Sequence, residues 1–320
     1  MIYFSMFSGI GGFEYGIIRA YEQIRKNNLA QYSNGIEKRS KLQLPTCVGY
    51  SEIDKYAIQI YQKHFGGHKN YGNAKGIIPE EILDFDLLVA GFPCQGFSIA
   101  GKRGGFEDTR GTLFYEIPRI AKVKRPKLLL LENVKGLLSH DKGKTFGTIL
   151  ATFSKLGYVL EWQILNSKNF GVPQNRERVF IIGYLGRESF RQVFPIRESD
   201  EVFNKPNKRK QGEEIIATTI RPGQGGLPGN SESYIGRYPL KFLSRNQKNI
   251  EGDYAFTIDG ANTGGVKQDM KIRRLTPTEC ERLQGFPDGW TEGVSDSQRY
   301  KCLGNAVTVN VIQAIMERLI

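Results

Sequence analysis

Four side chains in this sequence stand where they can carry chemistry. Cys94 follows a proline in Gly91-Phe92-Pro93-Cys94-Gln95-Gly96-Phe97-Ser98, just after the apolar run at 86–90. A cysteine at the carboxyl end of a parallel strand lies where open α/β sheets bind ligands, and a thiolate there can add to an electrophilic carbon. A lone cysteine also serves as a small buried hydrophobe, so its surroundings decide. Here residues 101–111 are rich in glycine and carry Lys102, Arg103 and Arg110, a composition suited to a mobile basic loop that closes on a polyanion. Glu132 ends the run Leu128-Leu129-Leu130-Leu131. An apolar setting favours a protonated carboxyl group, which can donate to a ring nitrogen. Arg176 and Arg178, in Gln174-Asn175-Arg176-Glu177-Arg178, share one face of an extended segment. Two guanidinium groups so placed suit an anion or a base carbonyl, and the same spacing would serve an edge-strand ladder with Glu177 opposite.

Ser8-Gly9-Ile10-Gly11-Gly12-Phe13 lies between a strand and a helix. Glycines there allow a ligand close to the backbone at a helix N-terminus, and they suit an ordinary tight turn equally well. The third glycine of a dinucleotide fingerprint is replaced by Glu14, which disfavours a nicotinamide cofactor. Glu52 ends the second strand, where a carboxylate can accept from both hydroxyls of a ribose or simply face solvent.

The elements that must hold these residues alternate. Strands are expected at 1–9, 47–51, 86–90, 128–131 and 179–183, with helices from the glycine loop to about residue 28 and at about 54–64, 112–123 and 144–156. Such alternation predicts an α/β fold with a mostly parallel sheet. The polar stretch 22–46 reads as a helix extension and a basic surface insert. From about 186 to 271 the chain turns irregular, rich in Gly, Pro, Asn and Arg. Val307, Val311, Ile312, Ile315, Met316 and Leu319 then recur at helical spacing, as core packing requires. This predicts one domain built from residues 1–185 and 272–320, with a second inserted at 186–271.

Composition narrows the function classes. The 320 residues carry 45 basic and 33 acidic side chains, a net charge of +12 that fits a polyanionic partner, nucleic acid first. No apolar run approaches the roughly 18 residues of a membrane span, and no secretion signal is expected from the first residues. The four cysteines form no Cys-x-x-Cys, so neither a disulfide framework nor a zinc site is expected, and a cytoplasmic setting fits.

Taken in order, Phe7-Ser8-Gly9-Ile10-Gly11-Gly12, Gly91-Phe92-Pro93-Cys94-Gln95, Glu132-Asn133-Val134, Gln174-Asn175-Arg176-Glu177-Arg178, Arg274-Leu275-Thr276-Pro277 with Gln284-Gly285-Phe286-Pro287, and Gly304-Asn305-Ala306-Val307 make the chain resemble the cytosine-C5 DNA methyltransferases of bacterial restriction–modification systems. The resemblance spans nearly the whole chain outside 186–271. It implies a Rossmann-like class I methyltransferase domain that binds S-adenosylmethionine and releases S-adenosylhomocysteine, plus a small, irregular, β-rich target-recognition domain. Carried over, Phe7, Gly9, Ile10 and Gly11 would line the cofactor pocket, Glu52 would hold the ribose and Ile53 would pack on the adenine. Pro93 and Leu113 would add contacts, and Asn305 and Val307 would close the methionine end. The family often has an Asp on the adenine amine where this chain has Asn73, whose carbonyl can still accept that bond.

The resemblance also implies covalent catalysis on a flipped cytosine, with Cys94 adding to C6, Glu132 at N3, Arg178 at O2 and Arg176 orienting Cys94 or Glu132. Residues 101–111 would be the lid and Ser98 a phosphate contact. In the recognition region Arg237, Arg245 and Asn246 suit bases or phosphates, and Thr257-Ile258 stands for the family's Thr-Leu-like pair. The partner is double-stranded DNA, with a cognate endonuclease acting on the same site without a stable complex; neither metal nor membrane is called for. A monomer is expected, in a bacterial or phage setting and associated with the nucleoid. A tRNA-directed relative would carry Cys-Phe-Thr in its recognition region, and 186–271 contains no cysteine. A regulator on a dead scaffold would have lost the nucleophile, the glutamate or the glycines.

Overall fold

A computed structural model describes residues 1–31, 42–93, 113–186, 192–196, 217–218, 241–243, 251–252, 265–268 and 271–320. The chain runs β1 (Ile2–Met6), α1 (Gly12–Gln31), β2 (Thr46–Ser51), α2 (Lys55–Phe65), β3 (Leu87–Gly91), α3 (Glu116–Lys124), β4 (Leu128–Val134), α4 (Lys144–Lys155) and β5 (Tyr158–Asn166). It continues through β6 (Gln174–Asn175), β7 (Glu177–Leu185), β8 (Ala217–Thr218), β9 (Lys241–Leu243), β10 (Glu251–Gly252), β11 (Gly265–Gln268) and β12 (Lys271–Arg274). The helices α5 (Pro277–Gln284), α6 (Asp296–Asn305) and α7 (Val309–Leu319) complete it.

A six-stranded sheet has the order β2-β1-β3-β4-β7-β5. β2, β1, β3 and β4 run parallel, and β7 is antiparallel to both β4 and β5. The order reverses between β1 and β3, so the loops after these strands flank the crevice where open α/β sheets bind ligands. Alternation along the strands divides the core. Tyr3, Leu87, Val89 and Leu130 face α1 and α7, where the stripe Val311, Ile312, Ile315 and Met316 packs. Phe4, Met6, Leu88, Ala90, Leu129 and Leu131 face α3 and α4. A third cluster joins Ile10, Ala57, Ile60, Phe286, Trp290 and Leu303 beside the glycine loop.

Several expectations shift. The helix expected at 112–123 is a tight 3-10 turn at Leu113–Tyr115 followed by α3, and α1 runs to Gln31. The insert at 32–41 lies outside the described residues. Val193, Phe194 and Ile196 are buried in the core beneath α7, and Arg318 donates to the Val193 and Pro195 carbonyls at 2.8 and 3.1 Å. β12 pairs with β11 in a four-stranded antiparallel sheet, β10-β9-β11-β12.

Candidate active site

The glycine loop takes its shape from backbone conformations that few residues tolerate. Phe7, Gly9 and Gly11 all have positive φ, at 56°, 56° and 88°. A β-carbon on Gly9 would meet nothing within 4 Å, so the loop faces open space there. One on Gly12 would come 2.8 Å from Val307 Cγ1 and 3.0 Å from the Val307 carbonyl, so the start of α1 and the turn before α7 touch with no room for a side chain. Ile10 is fully buried and packs with Phe286 and Trp290, so its side chain supports the loop from behind. Its carbonyl accepts from Trp290 Nε1 at 3.0 Å.

Glu52 sits at the next strand end. Its Oε2 accepts from Gly9 N at 2.9 Å, and its Oε1 accepts from Ile53 N and Asp54 N at 2.8 and 2.9 Å. These donors fix the carboxylate beside the glycine loop and leave lone pairs for further donors. Ile53 is 69% exposed, an apolar side chain next to an acceptor. Asn70 braces this strand end: its Oδ1 accepts from Glu52 N at 3.3 Å and Gly72 N at 2.9 Å, while its Nδ2 donates to the Glu52 carbonyl at 3.2 Å. Asn73 is exposed and its Oδ1 accepts from Lys75 N at 3.1 Å, capping a short turn. That leaves one lone pair for an exocyclic amine.

Across the crevice, Glu132 pairs in register with Gly91, and a β-carbon on Gly91 would lie 3.3 Å from Glu132 Oε2. Arg178 Nε forms an ion pair with Glu132 Oε1 at 3.1 Å, with both side chains mostly shielded from solvent. Glu177 points away and meets Lys135 at 2.9 Å. Arg176 does not share the Glu132 contact. It is buried, and its Nη2 donates to the carbonyls of Ala306 and Gly304 at 2.8 and 3.2 Å. Of the two partners expected for Arg176, Glu132 is met by Arg178 instead, because Arg176 precedes β7 and turns toward the segment before α7, while Cys94 lies outside the described residues. Asn133, given no role by the sequence, donates through Nδ2 to the Phe92 carbonyl at 2.8 Å and so fixes the backbone leading into Pro93 and Cys94. Pro93 and Asn305 are exposed, Leu113 is half-buried, and Val307 lies in the core. Cys94, Ser98, Lys102, Arg103, Arg110, Arg237, Arg245, Asn246 and Thr257 lie outside the described residues. Among the described residues no cluster of His, Cys, Asp or Glu could hold a metal ion, and no helix is long and apolar enough to cross a membrane.

The glycine loop, the Glu52 carboxylate and the exposed Ile53 together fit an adenosine: open backbone for its close approach, an acceptor for a diol and an apolar face for a ring. The family model for C-5 cytosine-specific DNA methylases matches residues 1–320. The chain belongs to that family. It is 38% identical over 321 residues to the Type II methyltransferase M.NlaX of Neisseria lactamica, covering 98% of this chain and 94% of that one. It is 34% identical over 330 residues to the Type II methyltransferase M.HhaI of Haemophilus parahaemolyticus, covering 98% and 92%. In fold it is similar to the Entamoeba histolytica methyltransferase EhMeth, with a TM-score of 0.60 at 19% identity over 100% of this chain and 97% of that one. The mixed, mostly parallel sheet is that of a Rossmann-like class I methyltransferase, and the chain is by family a cytosine-C5 DNA methyltransferase.

Proposed function

We propose that this methyltransferase acts on a cytosine swung out of duplex DNA, through a covalent bond between Cys94 and C6. The observation that carries the reading is the Arg178–Glu132 pair held against Gly91, three residues before Cys94. One edge of cytosine presents the O2 acceptor, the N3 acceptor and the N4 amine side by side. A guanidinium beside a carboxyl matches that edge: Arg178 donates to O2, and Glu132, taking up a proton as the base binds, donates it to N3 and accepts from the amine.

C5 of cytosine is a weak nucleophile. Attack of the Cys94 thiolate on C6 pushes an electron pair through the ring toward N3, where Glu132 supplies a proton, and leaves C5 enamine-like. S-adenosylmethionine, when bound, supplies a methyl group on a positively charged sulfur. That methyl would pass to C5, with the sulfur of S-adenosylhomocysteine as the leaving group. Water then removes the C5 proton, the ring electrons expel the Cys94 thiolate from C6, and Glu132 recovers its proton from N3. Glu52, Ile53 and the Phe7–Gly11 loop would hold the adenosine; Asn73, Pro93 and Leu113 would add to its walls; Asn305 and Val307 would close the methionine end. C6 is unreachable in a stacked duplex, which requires the base to leave the helix.

Residues 101–111 serve as the lid, with Ser98, Lys102, Arg103 and Arg110 on the phosphates. The inserted segment reads the sequence through Arg237, Arg245, Asn246 and Thr257. The chain acts as a monomer and protects DNA from a cognate endonuclease. DNA whose cytosines carry fluorine at C5 tests the covalent step. After methyl transfer, elimination would have to expel F⁺, so the enzyme should remain attached to DNA under denaturing electrophoresis. No retained complex from a preparation active on ordinary DNA contradicts the adduct.

A further inference from the structure

Thr308 stands at the N-cap of α7, where a hydroxyl ordinarily accepts from a backbone N–H of the first turn. It makes no such bond. Its hydroxyl instead donates to Gln284 Oε1 at 2.9 Å and meets Ser167 Oγ at 2.8 Å. A threonine hydroxyl has one proton, so Ser167 is the donor in the second contact. The Gln284 amide, fully buried, donates to the Leu303 carbonyl at 2.7 Å and more weakly to the Ala306 carbonyl at 3.4 Å. On the other side Ser167 N donates to the Arg176 carbonyl at 3.0 Å, and Arg176 returns to the Ala306 and Gly304 carbonyls. The contacts close a ring from the 303–306 backbone through Gln284, Thr308, Ser167 and Arg176 back to the same backbone.

Helix α7 forgoes its cap to complete this ring, and four polar side chains are taken out of water to form it. Such groups are tolerated only when bonded, and once bonded they fix a single geometry. The ring touches both halves of the site. Its backbone carries Asn305 and runs into Val307, which presses on Gly12 of the glycine loop. Its arginine precedes Arg178, the partner of Glu132, by two residues. We propose that Gln284, Thr308 and Ser167 are positioning residues that lock the turn before α7 to the arginine-bearing segment, so that the cofactor pocket and the Arg178–Glu132 pair are set together. The inference rests on the cofactor and cytosine reading given above.

Thr308→Val removes the hydroxyl at nearly constant volume, Thr308→Ser keeps it, and Ser167→Ala is a milder cut at the next link. Each is measured for S-adenosylhomocysteine affinity without DNA by calorimetry, for kcat on unmethylated plasmid DNA per folded molecule, and for Tm. Thr308→Val should raise the Kd for S-adenosylhomocysteine and lower kcat, each about tenfold, as loss of one buried hydrogen bond with an orphaned acceptor implies. Ser167→Ala should shift both in the same direction, and Thr308→Ser should restore both. A lower Tm with unchanged Kd and kcat, or a change in only one of the two, overturns the proposal. A wild-type protein that fails to bind S-adenosylhomocysteine overturns the cofactor reading beneath it, whereas a binding wild type with indifferent variants overturns the ring alone.

Discussion

Glu14 occupies the position where a dinucleotide fingerprint would have glycine, and it is fully buried. Tyr61 Oη lies 3.2 Å from its Oε1 and 2.9 Å from His68 Nδ1. Burial pushes the Glu14 carboxyl from its ordinary 4.5 up to about 7, outweighing the hydrogen bonds that favour the anion. Burial also holds His68 below its ordinary range. Below about pH 4.5 Glu14 is protonated in both the folded and unfolded chain and costs nothing. Between about 4.5 and 7 the unfolded chain releases the proton and the folded one keeps it, so this group lowers stability as pH rises; above about 7 its effect is flat. At about 1.4 kcal/mol per pH unit, the gap between 4.5 and about 7 corresponds to about 3.5 kcal/mol over the full range. Glu14→Gln keeps the shape without the ionisation. Urea unfolding of both proteins at pH 4.5 and pH 8 should show the variant gaining about 3 kcal/mol on the wild type between the two pH values. The comparison also sets aside the opposing drift from His68, whose depressed value favours folding as pH rises toward its ordinary 6.5. A difference that is the same at both pH values would refute a buried, proton-holding Glu14.

Other perturbations separate the parts of the site. Glu52→Gln should weaken S-adenosylhomocysteine binding about tenfold in calorimetry, the loss of one charged hydrogen bond. Ile53→Ala should weaken it about threefold to tenfold, with Tm unchanged because the side chain is exposed in the free protein. Gly12→Ala forces a methyl against the Val307 backbone and should cost about 1–3 kcal/mol of stability in denaturant titrations, with loss of cofactor affinity. Arg178→Lys should lower kcat about a hundredfold while the KM for S-adenosylmethionine stays within about twofold, since a lysine cannot bridge O2 and Glu132 as a guanidinium does.

Much of this architecture is legible in the sequence because its signals are local. Short apolar runs ending in Gly9, Glu52, Cys94 and Glu132 mark the parallel strands, and their ends mark the crevice. The final helix announces itself through the spacing of Val311, Ile312, Ile315 and Met316. The strand β5 escapes because Tyr158–Asn166 mixes Glu161, Trp162 and Gln163 with aliphatics and lies at the sheet edge. Its place is fixed by antiparallel pairing with β7, not by its own pattern. Helix α6 is similarly hidden, its segment Asp-Ser-Gln-Arg-Tyr-Lys-Cys-Leu-Gly-Asn being mostly polar. The arginine pair shows how far spacing reaches. It placed Glu177 opposite, where it is, but could not tell which guanidinium meets Glu132, since that depends on where β7 begins. The ring of Gln284, Thr308 and Ser167 leaves no sequence signal, because Thr308 and Ser167 meet across 141 residues.

The central claim is that Cys94 drives methyl transfer to C5 of cytosine in DNA. Purified protein is incubated with labelled S-adenosylmethionine and unmethylated plasmid, beside a Cys94→Ala control, and the product is sequenced after bisulfite treatment. Label is expected on DNA, at C5 of one cytosine within a short recurring sequence, and none in the control. Label that persists in Cys94→Ala, or a cofactor-binding protein that leaves the plasmid unmethylated, would contradict it.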